Sequence, residues 1–271
     1  MGRERVTITI KDDLIKQVDR LVDGLTIRSR SQAIEYLLSK HLSDFRLKNA
    51  FLFAGGKKSE LLLGNKPKFL AKIRGKTVLE HAMEEIHGYN VNNFIVYADS
   101  FSREIELEMK SRPHDFLIDF ISGEKPCGTV RPLLMAKPHL KDTFLAAYAD
   151  TIASINLNDM LAFHRKNNSI ATIALTTVSN PREFGVAVLQ GNKITDFSEK
   201  PRNEAHSYLI NAGYFLFEPE IFRHLKKDMA SIEKDLFPKL ADRGLLFGYP
   251  FQGKYFNINT KKDLEKAIAL L

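Results

Sequence analysis

The chain has one cysteine, Cys127, and no tryptophan among its 271 residues. One cysteine excludes an intramolecular disulfide framework and fits a reducing, cytoplasmic setting. Cys127 itself reads as a small buried hydrophobe. No apolar run approaches the roughly 18 residues needed to cross a bilayer, so no membrane is expected as a partner. The opening MGRERVTITI carries charge and alternation where a secretory signal would carry an apolar stretch. Internal repeats and low-complexity tracts are absent. His81, His164 and His224 fall in helical surroundings without metal-ligand spacing, which makes them ordinary core or surface side chains. What is present is a composition with 44% hydrophobic and 10% aromatic residues, enough for a sizeable core. The length allows one large domain, or a small one beside a medium one. Net charge is +7, of which +3 falls in the first 49 residues. The N-terminal segment is therefore the more basic per residue, which is compatible with nucleic-acid contact.

Residues 5–10, RVTITI, alternate strictly, placing Val6, Ile8 and Ile10 on one strand face and Arg5, Thr7 and Thr9 on the other. A helix is expected from about Asp12, with Leu14, Val18, Leu21 and Val22 at helical spacing and a stop at Gly24. Ser31 reads as the N-cap of a second helix whose apolar stripe is Ala33, Ile34, Leu37, Leu38 and Leu42. One strand and two short helices cannot bury that strand within a single copy. Two copies pairing antiparallel solve the problem, and a two-stranded ribbon fits the major groove of double-stranded DNA. Arg5, Thr7 and Thr9 would then face base edges, and the start of the second helix, at Arg30 and Ser31, would present backbone N–H groups to a phosphate.

The stretch RVTITI, the turn at Gly24 and SRSQAIEYLL closely resemble a ribbon-helix-helix repressor module of the CopG/Arc/MetJ type, over residues 3–43. The resemblance implies a DNA-binding and dimerisation domain over 1–45, and a homodimer or dimer of dimers. A dimerisation-only module is the alternative. Residues 44–48, DFRLK, form a short polar junction to a second domain over 49–271.

From residue 50 onward strand-like and helical patterns alternate, which predicts an α/β domain with a mixed, mostly parallel sheet. Strands are expected at 50–53, 93–97, 115–121, 143–147 and 171–176, and helices at 77–86, 102–110, 129–136 and 158–166. Beyond Phe184 the pattern turns β-like, suggesting an added β-rich lobe. The first strand ends in Gly55-Gly56, and Pro67-Lys68 follows, a pattern suited to close backbone approach to phosphate.

FAGGKKSEL, NKPKFL, KTVLEHAMEEI, CGTVRPLL, FLAAYAD, FGVAVL, ITDFSEKP, LINAGYFLF, SIEKDLFPKLAD and YFNINTKKDLEKA occur in the order found in sugar-phosphate nucleotidyltransferases. The domain resembles that family, with its Rossmann-like fold. The resemblance implies roles residue by residue. Gly55 and Gly56 would admit the nucleotide, Lys68 would contact phosphate, and Gly128 and Thr129 would lie by the base. Asp150 would hold Mg²⁺ at a strand's C-terminal end, opposite Asn257. Glu199, Lys200, Asn211 and Gly213 would form the sugar and sugar-phosphate side.

The family's first loop continues Gly-Gly-x-Gly-Thr-Arg-Leu, whereas here Lys58 stands for the third glycine and Glu60 for the cation. The stretch to Pro67 is also shorter. The closing Asp-x-Gly-Thr has become Asn257-Ile258-Asn259-Thr260. An acid repels triphosphate, and a neutral amide holds Mg²⁺ weakly. Lys57 and Lys58 offer partial compensation, as point charges without a guanidinium fork. Two functions fit. One is a DNA-binding transcriptional regulator whose second domain binds a nucleotide, sugar phosphate or nucleotide sugar as effector. The alternative is an active, divergent nucleotidyltransferase that dimerises or regulates its own gene through the N-terminal module.

Overall fold

The computed structural model describes residues 6–44, 46–202 and 206–271, so Arg5 lies outside the described residues. The chain divides into two compact units, 1–46 and 47–271.

In the first unit α1 spans Asp12–Asp19 and α2 spans Arg30–Asp44. Their mutual packing buries Val18 and Ala33. Between them Asp23 Oδ1 accepts the backbone N–H of Leu25, Thr26 and Ile27 at 2.8, 2.8 and 2.9 Å. These bonds hold its carboxyl below the ordinary aspartate range. The N-cap is Ser29, not Ser31. Ser29 Oγ accepts from Gln32 N at 3.3 Å and its carbonyl from Ala33 N at 2.9 Å, which leaves Ser31 within the first turn. Among the described residues, 6–10 bond to no neighbouring strand, and the expected pairing is with a second copy. A strand needs a neighbour to bond, and the described part of this unit supplies no second one. Val6 and Ile8 are 70% and 56% exposed, and Thr7 and Thr9 are exposed beside them.

The second unit begins with β1, Asn49–Phe53. Two short hairpins follow, β2 (Leu62–Leu63) with β3 (Lys66–Pro67), and β4 (Lys72–Ile73) with β5 (Lys76–Thr77). Next come α3 (Val78–His87), β6 (Asn93–Ala98), α4 (Ser102–Lys110), β7 (Leu117–Ser122), α5 (Val130–Ala136) and β8 (Phe144–Tyr148). Then follow β9 (Thr151–Ala153), α6 (Leu157–Lys166), β10 (Ala171–Thr177), β11 (Gly185–Gln190), β12 (Lys193–Glu199) and β13 (Leu209–Phe217). The last elements are α7 (Ile221–His224), α8 (Phe237–Asp242), β14 (Leu246–Pro250), β15 (Tyr255–Asn257) and α9 (Lys261–Leu270). Thr77 opens α3 with a capping box: Glu80 N donates to Thr77 Oγ1 at 3.0 Å, and Thr77 N to Glu80 Oε2 at 2.5 Å.

Nine strands make one mixed sheet in the order β10-β14-β12-β11-β13-β8-β1-β6-β7. β8, β1, β6 and β7 are mutually parallel, the expected outcome of strand–helix alternation. β13 joins them antiparallel, and β11 and β12 continue antiparallel beyond it. The β-rich stretch after Phe184 is thus no separate lobe. Its strands extend the same sheet, because an antiparallel hairpin can pair directly onto β13. β10 also bonds β13, closing a circuit of pairings through β14, β12 and β11.

β1 is buried on both faces, and its period of two sorts the core. Ala50 and Leu52 join Leu79, Met83 and Ile86 of α3 and Met160 of α6. Phe51 and Phe53 join Leu133 of α5, Phe215 of β13 and Phe237 of α8 on the other face. Each such large side chain contributes about 1.5–3 kcal/mol on burial, so β1 is fixed firmly and the loop leaving it is well placed.

Candidate functional site

The C-terminal ends of the parallel strands β1, β6 and β8 release the chain into Gly55-Gly56, Asp99 and Asp150 respectively. Open α/β sheets bind ligands at such ends. Gly56 N donates to Asp99 Oδ1 and Oδ2 at 3.0 and 3.1 Å, and Ser100 Oγ to the Gly56 carbonyl at 2.9 Å. The glycine loop is therefore pinned by a carboxylate that is only 8% exposed. Glu60 sits in an exposed turn, 3.6 Å from Lys57 Nζ, and Lys58 lies over the Phe101 ring. The two lysines beside the loop thus already have partners.

Lys68 is nearly buried. Its ammonium lies 2.5 Å from Asp150 Oδ2 and donates to Asn259 Oδ1 at 2.7 Å. Asn259 Nδ2 in turn donates to Asn257 Oδ1 at 2.9 Å. The strand end, the loop lysine and the segment after β15 are so joined in one chain of bonds, Asp150–Lys68–Asn259–Asn257. β15 pairs antiparallel with β9, with Asn257 opposite Thr151, which brings Asn257 beside Asp150.

This group does not suit a tightly held Mg²⁺. Its donors are one carboxylate and the amide oxygens of Asn257 and Asn259, and each of the three side chains already accepts a bond. A hard dication favours several charged or water oxygens. Among the described residues no cluster of three acidic, histidine or cysteine side chains forms a metal site.

Asp150, Asn257 and Asn259 line a cavity of about 220 Å³ together with Glu199, Lys200, Asn211 and Gly213. Asn211 Oδ1 accepts from Gly213 N at 2.8 Å, and Gly213 has φ +77. A Cβ there would lie 2.8 Å from Tyr148 Cδ2, so only glycine lets β13 pass so close. Lys200 also has a positive φ of +50, a strained conformation for a non-glycine residue, held by its N–H bond to Phe184 O at 3.0 Å. Burial, then the charge of Glu233, pushes the Glu199 carboxyl up to about 7, against the opposing pull of Lys200 and Lys234.

Gly128 and Thr129 do not line that cavity. Thr129 N donates to the Ala230 carbonyl at 2.9 Å, and Thr129 Oγ1 to Glu233 Oε2 at 3.3 Å. Gly128 has φ +75, and a Cβ on it would fall 2.1 Å from the Ala230 carbonyl oxygen. Glu233 also accepts from Tyr148 Oη and from Ser231 Oγ, and it lines the cavity. The Gly128–Thr129 segment and the cavity therefore share one carboxylate. In the first unit, Arg30 is engaged in a bidentate pair with Asp19, Nε–Oδ1 2.5 Å and Nη2–Oδ2 2.8 Å, which ties α2 to α1.

Of the residues singled out from sequence, Lys68, Asp150 and Asn257 converge, and Glu199, Lys200, Asn211 and Gly213 face the same cavity as Asp150. Gly55 and Gly56 group with Asp99, and Gly128 and Thr129 with Glu233. Asp99, Glu233 and the bonding role of Asn259 went unread. Asp99 carries one usable signal, its position just after an apolar strand.

A family model described as "Nucleotidyl transferase" matches residues 32–269, and one described as "Ribbon-helix-helix protein, copG family" matches residues 4–43. Among curated proteins, the mannose-1-phosphate guanylyltransferase catalytic subunit beta of Danio rerio is 34% identical over 204 residues, 73% of this chain and 56% of that protein. Its Xenopus tropicalis counterpart is 32% identical over 79% of this chain and 62% of that protein. The chain thus spans less than two thirds of the length of these curated relatives. Among solved structures, HddC from Yersinia pseudotuberculosis superposes with a TM-score of 0.72 at 21% identity, covering 82% of this chain and 99% of that one. That likeness establishes the nucleotidyltransferase fold. The chain belongs to the nucleotidyl transferase family and carries a copG-type ribbon-helix-helix module at its N-terminal end.

Proposed function

We propose that the protein is a DNA-binding transcriptional regulator whose nucleotidyl transferase domain binds a nucleotide, sugar phosphate or nucleotide sugar as its effector. Residues 1–45 act as the dimerisation and DNA-binding part, and 49–271 as the ligand-binding part, in a cytoplasmic homodimer or dimer of dimers. Arg5, Thr7 and Thr9 read double-stranded DNA, with the start of α2 at Arg30 and Ser31 near the backbone. The observation that carries this reading is the contrast between the two ends of the cleft. The sugar-side residues surround an accessible cavity. At the other end, where this reading would put catalysis, are the Lys68–Asp150 pair and two amides. Binding is thereby retained while turnover loses the charge that stabilises leaving pyrophosphate. The domain is in this sense divergent. The effector shifts operator affinity to the extent that it binds the DNA-competent state differently.

The identity to guanylyltransferases favours a second reading, an active enzyme joining a nucleoside triphosphate to a sugar 1-phosphate such as mannose 1-phosphate. One experiment separates the two: pyrophosphate release with Mg²⁺, each nucleoside triphosphate and a panel of sugar 1-phosphates, beside calorimetry with nucleotide sugars. The regulator reading expects binding with negligible turnover. Turnover near about 1 s⁻¹ or faster, within the ordinary enzyme range, establishes the enzyme instead.

A further inference from the structure

We propose that the cleft continues into an outer subsite, lined by Arg202, His206 and Lys234, that receives a second anionic group on the sugar of its ligand. The proposal rests on the ligand-binding reading above and names the class of sugar that the site prefers. The cavity of about 220 Å³ has a neighbour of about 600 Å³, and the two share Glu199, Lys200 and Glu233 as a common wall. A ligand seated in the smaller cavity therefore borders the larger one.

The two cavities differ in charge. Asp150, Glu183, Glu199 and Glu233 line the smaller one, against the single ammonium of Lys200. Such a lining accepts the O–H groups of a neutral sugar ring and opposes a further anion. The larger cavity adds Arg202, Lys234 and the imidazole of His206, with Asp196 as the one further acid among the described residues. Of its three carboxyls, Glu233 already accepts the hydroxyls of Tyr148, Thr129 and Ser231. Burial, then the charge of Glu233, pushes Glu199 up to about 7, so below neutrality it opposes an anion only weakly. Lys200, Arg202 and Lys234 then face the carboxylates of Asp196 and Glu233, which leaves positive charge in excess. Among the described residues none of these three cations forms an ion pair, so an anion meets them without breaking one. A sugar 1-phosphate with hydroxyls alone leaves that charge unmet, whereas a second phosphate or a carboxylate on the ring meets it.

The test is calorimetry on the full-length protein just below neutral pH, with mannose 1-phosphate and mannose 1,6-bisphosphate as probes. The bisphosphate should bind at least about tenfold more tightly, one molecule per chain. Arg202→Gln with Lys234→Gln should abolish that preference and leave the affinity for mannose 1-phosphate within about twofold. Both side chains are exposed, so the variant should melt with the wild type. Equal affinity for the two probes overturns the proposal, as does a preference that survives in the variant. An equal loss for mannose 1-phosphate in the variant also overturns it, since that ligand's own phosphate would then occupy the outer cations. If neither probe binds, the proposal fails, and GDP-mannose shows whether the ligand-binding reading fails with it. Heat from GDP-mannose keeps that reading, and silence from all three probes removes support from both.

Discussion

Lys68 and Asp150, 82 positions apart in the chain, meet at 2.5 Å with side chains only 8% and 14% exposed. The pair locks the loop after β1 to the end of β8. Lys68→Met should destabilise the protein by roughly 3 kcal/mol, because it leaves a nearly buried carboxylate without its cation. Adding Asp150→Leu should recover part of that loss, giving a large coupling in a double-mutant cycle by urea denaturation. Purely additive effects would show that the pair is not coupled in solution.

Glu199 makes stability depend on pH. Its carboxyl is raised from 4.5 to about 7 in the folded state, so the folded protein holds the proton more tightly than the unfolded chain. The contribution is full below about pH 4.5 and is lost as pH rises through about 7. It amounts to up to about 3 kcal/mol by linkage. Glu199→Gln should flatten the stability curve between these limits and make the variant the more stable protein above pH 7. Parallel wild-type and variant curves in denaturant titrations from pH 5 to 8 would refute the assignment.

Gly128→Ala should be among the most damaging single-methyl additions. The left-handed backbone costs about 1–2 kcal/mol for any other residue, and the Ala230 carbonyl oxygen stands 2.1 Å from the new Cβ. The melting temperature should fall by several degrees. Gly191→Ala makes the comparison, since its φ is +60 but nothing lies within 4 Å of a Cβ there.

Glu60→Arg with Asn257→Asp should raise pyrophosphate release above the wild type. Each lost electrostatic group costs about 100- to 1,000-fold in comparable sites. A spectrophotometric pyrophosphate assay would record the gain, and a wild type that already turns over rapidly would leave nothing to restore.

In the N-terminal unit, Ile8→Asp should abolish dimers seen by sedimentation, because it places a charge on the apolar strand face shared with Val6. Arg5→Ala should leave the dimer intact and weaken specific DNA binding by roughly 1–3 kcal/mol. Equal loss from both variants would mean that Arg5 acts through assembly rather than through base contact.

The regular elements were largely legible because buried β1 and the amphipathic α3, α4 and α6 show their periods directly in the sequence. The Ser29 cap was missed because two serines flank Arg30 and only the backbone turn decides between them. The β-rich stretch read as a separate lobe, since strand pattern says nothing about which partner a strand bonds. Family order pointed to Asp150, Glu199 and Asn211, which line one cavity. Asn259 read only as a departure from glycine, because its bond to Lys68 joins residues 191 positions apart. Asp99 and Glu233 also act through contacts remote in sequence, 43 and up to 104 positions apart.

The pairing circuit formed by β10, β14, β12, β11 and β13 has a consequence for solubility. Two of its links are single pairs, Val186 with Ile210 and Lys193 with Phe247, so the circuit reduces the open backbone at that end without removing it. Among the described strands of this sheet, β7 forms the edge at the opposite end. That strand is six residues long and sets the exposed Asp119 in its middle. Two such edges meeting in register would bring carboxylates together, so the molecule discourages fibre-like stacking along that border.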